Sequence, residues 1–144
     1  MREKALNLLG LMRRAGAVSV GETNTGSAVR DGKAKLLLVA DNASPNAEKR
    51  AEGFAAGRNV INLKLPFTKE ELSAALGLPG CSMAAVTDIG FANAFLKLLA
   101  GIDAGRYKEA AEEVEKRFMK AQRRKAEASA HERNKRIGKR RTKA

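Results

Sequence analysis

An α/β fold, specifically a three-layer α-β-α sandwich around a four-stranded, mostly parallel (mixed) sheet with a C-terminal basic helical extension, is predicted by three features of this 144-residue chain. Segments with helical spacing alternate with short apolar runs over the first hundred residues, the order that places helices on both faces of a sheet. Lys35-Leu36-Leu37-Leu38-Val39-Ala40 is almost wholly apolar, as a central strand covered on both faces must be. The last 29 residues, 116–144, carry 13 Lys or Arg against Glu127 and Glu132 alone, and so hold all but one unit of the formal net charge of +12.

Leu6, Leu9 and Met12 recur at helical spacing beside Leu8 and Leu11, which predicts a helix over 2–14 stopped by Gly16. Ala17 to Val20 is a short strand. Gly21 opens a polar loop, Glu22-Thr23-Asn24-Thr25, and a second helix runs through Arg30 to Asp31-Gly32. After the central strand, Ser44 is placed to cap a third helix with Pro45 at its first position, ending at Gly57. Val60 to Leu63 forms a third strand. Thr68 and Glu71 make a capping box for a short fourth helix ending near Gly77. An apolar loop, Leu78 to Ser82, leads to a fourth strand at 83–87 and a helix from Ile89 to Ala100. Beyond it, Tyr107, Ala111, Val114, Phe118 and Ala121 form one apolar stripe, so a last helix leans on the globular part or on a partner as far as about residue 121. From there it continues as a solvated basic arm that orders on binding, or as a free helix. The chain divides into a domain over 1–101 and an arm over 102–144.

Composition narrows the function. With five Phe, one Tyr and no Trp, a surface of exposed stacking rings is not expected. Cys81 is the only cysteine and His131 the only histidine, which excludes an internal disulfide, a cysteine-based zinc site and histidine-dependent catalysis by the folded part. No metal and no cofactor is expected. The apolar run at the N-terminus is too short for a secretion signal, and no stretch approaches the roughly 20 apolar residues of a membrane span, so a cytoplasmic protein is expected. The basic segment calls for a polyanion. Nucleic acid fits best, because each neutralised phosphate releases counterions; a solubilising tail or a patch for an anionic membrane surface is the plainer alternative.

Four places could carry chemistry. Gly21-Glu22-Thr23-Asn24-Thr25-Gly26-Ser27 has the two glycines of a phosphate loop, but Ser27 stands where the phosphate-reaching lysine belongs, so a nucleotide triphosphatase is a poor fit. A helix N-terminus after a strand still attracts a phosphate or a base edge, unless Thr23 or Asn24 simply caps it. Cys81 lacks a histidine to deprotonate it and reads as a small core or loop residue. Asp41 and Asp88 each follow a strand, where turn formation and helix capping account for them.

The element order, Leu9-Gly10-Leu11-Met12-Arg13-Arg14-Ala15-Gly16, the segment from Gly21 through Lys33 to Asn46, and the loop before Met83-Ala84-Ala85-Val86-Thr87-Asp88 together resemble the L-seven-Ae superfamily of ribosomal proteins, the kink-turn RNA binders, over about residues 1–100. The resemblance implies an RNA-reading site at Gly21, Glu22, Thr23, Asn24 and Ser27, facing tandem G·A pairs, and an apolar loop at Leu78, Pro79, Gly80 and Cys81, packing on flipped-out nucleotides. Thr23 replaces the family's Asn, Asn24 its Glu and Ser27 its Lys. Thr23 and Asn24 can still hydrogen-bond base edges, whereas Ser27 brings no charge, so RNA binding is implied and kink-turn selectivity is left open.

A non-enzymatic RNA-binding protein acting on ribosomal or other structured RNA, with the ribosome itself as a candidate partner, is the function expected. Arg123, Arg124, Lys125, Arg133, Lys135, Arg136, Lys139, Arg140, Arg141 and Lys143 would clamp phosphates. The alternative is a protein-interaction module whose basic arm docks on an acidic partner. Oligomeric state is open.

Overall fold

The computed structural model describes residues 1–142, with side chains described as far as Lys135. Its order is α1 (Arg2–Ala15), β1 (Val18–Val20), α2 (Glu22–Arg30), β2 (Leu36–Val39), α3 (Pro45–Ala55), β3 (Ile61–Lys64), α4 (Lys69–Leu76), β4 (Met83–Val86), α5 (Ile89–Ile102) and α6 (Ala104–Thr142). The sequence signals for helix starts act through the side chains named above. Ser44 accepts a hydrogen bond from the Ala47 N–H at 3.2 Å, Thr68 and Glu71 close a capping box, and Asp88 accepts from the Phe91 N–H at 3.0 Å.

One start differs from expectation. Residues 22–25 are the first turn of α2 and not a loop, and the cap is Gly21, with neither Thr23 nor Asn24 supplying a side-chain cap. Gly21 has φ 90° and ψ 162°, backbone that side-chain-bearing residues rarely adopt, and this turn aims the chain from β1 straight into the helix.

The strands lie in the order β1-β4-β2-β3. The sheet is mixed. β1, β2 and β3 share a direction, but β4 opposes them between β1 and β2, so only the β2–β3 pairing is parallel. The reason lies in the connection. The loop at 77–82 returns the chain to the edge that the other strands leave, where the Gly21 N–H bonds the Met83 carbonyl at 3.2 Å and the Ala40 N–H bonds the Ser82 carbonyl at 2.9 Å. β2 and β4 are central and buried throughout.

Helices α2 and α3 cover one face. Leu37, Val39 and Met83 meet Ala47 and Ala51 there, and Gly26 lets the Phe54 ring approach so closely that a Cβ would stand 2.9 Å from it. The other face carries the larger core, in which Leu36, Leu38, Ala84 and Val86 pack against Leu9, Met12, Leu72, Phe95, Leu96 and Leu99. Truncating a buried leucine in such a core costs about 2–5 kcal/mol.

α6 belongs to that core at its start. Tyr107 and Val114 are fully buried, Ala111 and Phe118 are half-buried, and every described residue from Met119 to Lys135 is exposed, Ala121 included. The apolar stripe is therefore seated on the protein's own α5 and ends one step earlier than its spacing predicts.

Candidate nucleic-acid interface

Two edges of the sheet organise the surface. At the rim, where β1, β2 and β3 end and β4 begins, lie Gly21, Asp41 and the 78–82 loop. At the opposite base lie Ala17, Lys35, Asn59 and Thr87, tied by the Lys35 N–H to the Val86 carbonyl at 2.7 Å and the Thr87 N–H to the Ala17 carbonyl at 2.8 Å.

At the rim the fold brings together two segments separated by more than fifty residues of sequence. A Cβ at Gly21 would stand 3.5 Å from Cδ2 of Leu78. The loop is fixed from below. The Ser73 hydroxyl accepts the Cys81 N–H at 2.9 Å, the Leu78 N–H bonds the Ser73 carbonyl at 3.2 Å, and Gly80 turns the chain at φ 72°. Leu78, Pro79 and Gly80 are thereby held outward, with Leu78 36% exposed.

Cys81 is different. It is 2% exposed and its thiol donates to the Met83 carbonyl at 3.2 Å, so its side chain supports the loop from within, while Leu78, Pro79 and Gly80 face outward. Burial pushes the thiol pKa upward, which makes a poor nucleophile of it.

The start of α2 presents backbone N–H groups with no side-chain cap, while the neighbouring starts of α3 and α4 are filled by Ser44 and Thr68. Glu22, in the first turn, is held by Arg50 of α3 at 2.5 Å. Thr23 is exposed. Asn24 is also exposed, and its amide nitrogen donates to the Val20 carbonyl at 3.0 Å, which fixes the side chain against β1. Ser27 is half-buried, and Arg30 reaches back one turn to donate to its hydroxyl at 3.4 Å. A cation thus stands beside the position where the sequence shows none. Beyond Asn24 and Ser27 an open groove of about 320 Å³ runs along the edge strand β1, flanked by Arg13 and Lys33. Arg30 and Arg50 went unread in the sequence. The three-residue spacing of Ser27 and Arg30 on a helix was the available signal for the first, and nothing local marked the second.

Elsewhere the rim mixes acids and bases: Arg106 donates to the Lys64 carbonyl at 3.2 Å and the Lys69 N–H to the Asn42 side chain at 2.7 Å. Asp41 is exposed, and Glu70, hydrogen-bonded by Asn42 at 3.2 Å, has its pKa lowered by its own backbone N–H first and by Asn42 second, so it stays ionised.

The arm leaves from the base. Tyr107 donates to the Lys64 carbonyl at 2.7 Å near the rim end of β3, whereas Arg117 donates to the carbonyl and the side-chain oxygen of Asn59, before β3, at 2.9 and 3.0 Å. In ten residues, about 15 Å of helix, α6 has crossed from rim to base. Arg123, Arg124, Lys125, Arg133 and Lys135 follow on its exposed continuation. Arg136, Lys139, Arg140 and Arg141 lie beyond the described side chains, and Lys143 lies outside the described residues. Among the described residues no three His, Cys, Asp or Glu side chains lie together as a metal site would need, and no helix is long and apolar enough to cross a membrane.

Residues 3–96 match the model of the ribosomal protein L7Ae/L30e/S12e/Gadd45 family. The RNA-binding protein YlxQ of Enterococcus faecium is 35% identical over 100 residues, which cover 69% of this chain and 95% of that protein. The large ribosomal subunit protein eL8 of Haloquadratum walsbyi is 33% identical over 94 residues, covering 65% of this chain and 78% of that protein. Among solved structures, a Bacillus halodurans protein of unknown function superposes with a TM-score of 0.61 at 25% identity, covering 67% of this chain and 96% of its own. A Giardia lamblia 15.5 kD RNA-binding protein shares the fold with a TM-score of 0.56 at 20% identity, covering 69% of this chain and 84% of its own. The sandwich, its rim and these matches lead to one conclusion: the chain belongs to the L7Ae/L30e/S12e/Gadd45 family.

Proposed function

We propose that the protein binds structured RNA, ribosomal or other, in the cytoplasm, holding a kinked or looped feature at the rim without catalysing a reaction. The observation that carries this reading is the meeting of the uncapped start of α2 with the outward Leu78 loop. Backbone N–H groups at the helix start, with Thr23 and Asn24 beside them, offer hydrogen bonds to base edges or a phosphate. Leu78 and Pro79 offer an apolar seat for a base that has left its stack. Arg30 adds the positive charge that Ser27 lacks. Arg123, Arg124, Lys125 and the cations after them would clamp phosphates without base readout. Relatives whose names state RNA binding favour this reading over the docking of an acidic protein partner.

The test is Leu78→Asp, a change at a side chain already exposed enough to leave the core intact. Binding to a hairpin with a kinked internal loop should weaken by about 10–100-fold, the equivalent of one lost base contact, while binding to a plain duplex should stay unchanged. A variant that holds the kinked hairpin as tightly as the parent would overturn the rim reading.

A further inference from the structure

We propose that the protein is a bridge that holds a second RNA segment at its base while the rim holds the first; this rests on the RNA-binding reading above. The evidence is a groove at the base that the rim cannot share. It is open, about 500 Å³, and runs between the α2–β2 turn at Gly32, Ala34 and Lys35 and the flank of α6 at Arg117, Lys120 and Arg124. Those three α6 residues step by three and four, so they form one row along the helix.

The charge of this groove is matched to a phosphate backbone. Its acid, Glu113, is paired with Arg117 at 3.1 Å, and Arg117 is further committed to Asn59. Lys35, Lys120 and Arg124 are exposed and take part in none of the ion pairs among the described residues. Arg58, which donates to the Val29 carbonyl at 3.3 Å, extends the positive surface on the same edge. Three exposed cations outside those ion pairs converge here, on a groove whose own acid is already paired.

Position excludes a common clamp. α6 passes Asn59 heading away from the rim, and the 24 residues from Met119 to Thr142 add about 36 Å of helix in that direction. The arm therefore lengthens the base groove and leads away from Gly21 and Leu78. RNA contacts at the two edges are separate, and both can be occupied at once.

The experiment uses the full chain and two unlinked RNAs near physiological salt: an immobilised hairpin with a kinked internal loop and a fluorescent plain duplex. Protein held on the hairpin should capture duplex in about equimolar amount with no loss of hairpin. Lys35→Gln combined with Lys120→Gln should reduce duplex capture about tenfold and lower its log-log salt slope by about two, with a much smaller effect on the hairpin. Leu78→Asp should release the hairpin and leave duplex binding in solution as it was. Displacement of hairpin by duplex, or an equal loss of both RNAs in the double variant, overturns the bridge while leaving the rim reading standing. If Leu78→Asp changes neither RNA, the rim reading fails and the bridge fails with it.

Discussion

At the rim, Gly21 and Leu78 are fixed against each other by a glycine turn, a serine hydroxyl and two strand-end hydrogen bonds. The arm beyond Phe118 is the reverse: every described side chain from Met119 to Lys135 is exposed, and no packing fixes any of them. The first region can recognise a shape, because its donors and its apolar seat hold their places before anything binds. The second can only attract, since charge on a solvated helix reads phosphates and not bases. Shape recognition and phosphate attraction are thus assigned to opposite edges of one sheet, and each can be altered without the other.

The largest expected effect follows from the arm. Replacing Arg123, Lys125, Arg133 and Lys135 by Gln in the full chain should lower affinity for a plain duplex by about 10²-fold at low salt and flatten its log-log salt slope by about three, with a much smaller effect on the kinked hairpin. The preference for kinked over plain RNA should therefore rise. Measuring affinity for both RNAs across a salt series checks this, and a variant that loses both RNAs equally would break the division between the two edges.

A smaller effect is expected where α6 is attached. Tyr107 is 1% exposed, donates to the Lys64 carbonyl, and shares that acceptor with Arg106 at 3.2 Å. Tyr107→Phe should cost about 1 kcal/mol of stability, since the carbonyl keeps one donor. Burial, first among the causes, pushes the phenol up to about 12. The sign follows from the raised value: this contribution is fully present below the unfolded value near 10 and is lost as pH rises through about 12, so the parent should lose more stability than the Phe variant over that interval. Because Tyr107 is the only tyrosine and there is no tryptophan, tyrosinate absorbance reports this group alone. A titration midpoint near 10 in the native protein would mean that the root of α6 is not docked, and the arm would then have no fixed direction.

The sequence made some of this legible. The starts of α3, α4 and α5 could be read because the capping side chain and the N–H it satisfies are three residues apart in the chain. The start of α2 could not be read so well. Thr, Asn and Ser favour loops locally, and the cap there is a backbone conformation of Gly21 with no side chain to announce it. The direction of β4 was hidden because it depends on which edge the 77–82 loop returns to. That in turn hid the separation of rim and base, since edges exist only once strand directions are known. The core stripe of α6 was plain, yet its spacing could not say that Ala121 would already be clear of α5.

The smallest effect concerns Ser27 and distinguishes two explanations of the rim. If the missing lysine weakens the site, Ser27→Lys should tighten kinked RNA by about tenfold, roughly the value of one well-placed cation near a phosphate. The structure favours a different result. Arg30 already lies over Gly26 and Ser27, with its guanidinium 3.3 Å from where a Gly26 Cβ would stand, so a lysine at 27 would share its space and repel it at i,i+3 spacing. Ser27→Lys should therefore tighten binding by no more than about threefold, whereas Arg30→Gln should weaken it by about fivefold and lower the salt slope by about one. Affinities of both variants for the kinked hairpin separate the cases. A full tenfold gain from lysine, with no loss on removing Arg30, would show that the cation beside Ser27 is idle and that the rim awaits a charge that the chain does not supply.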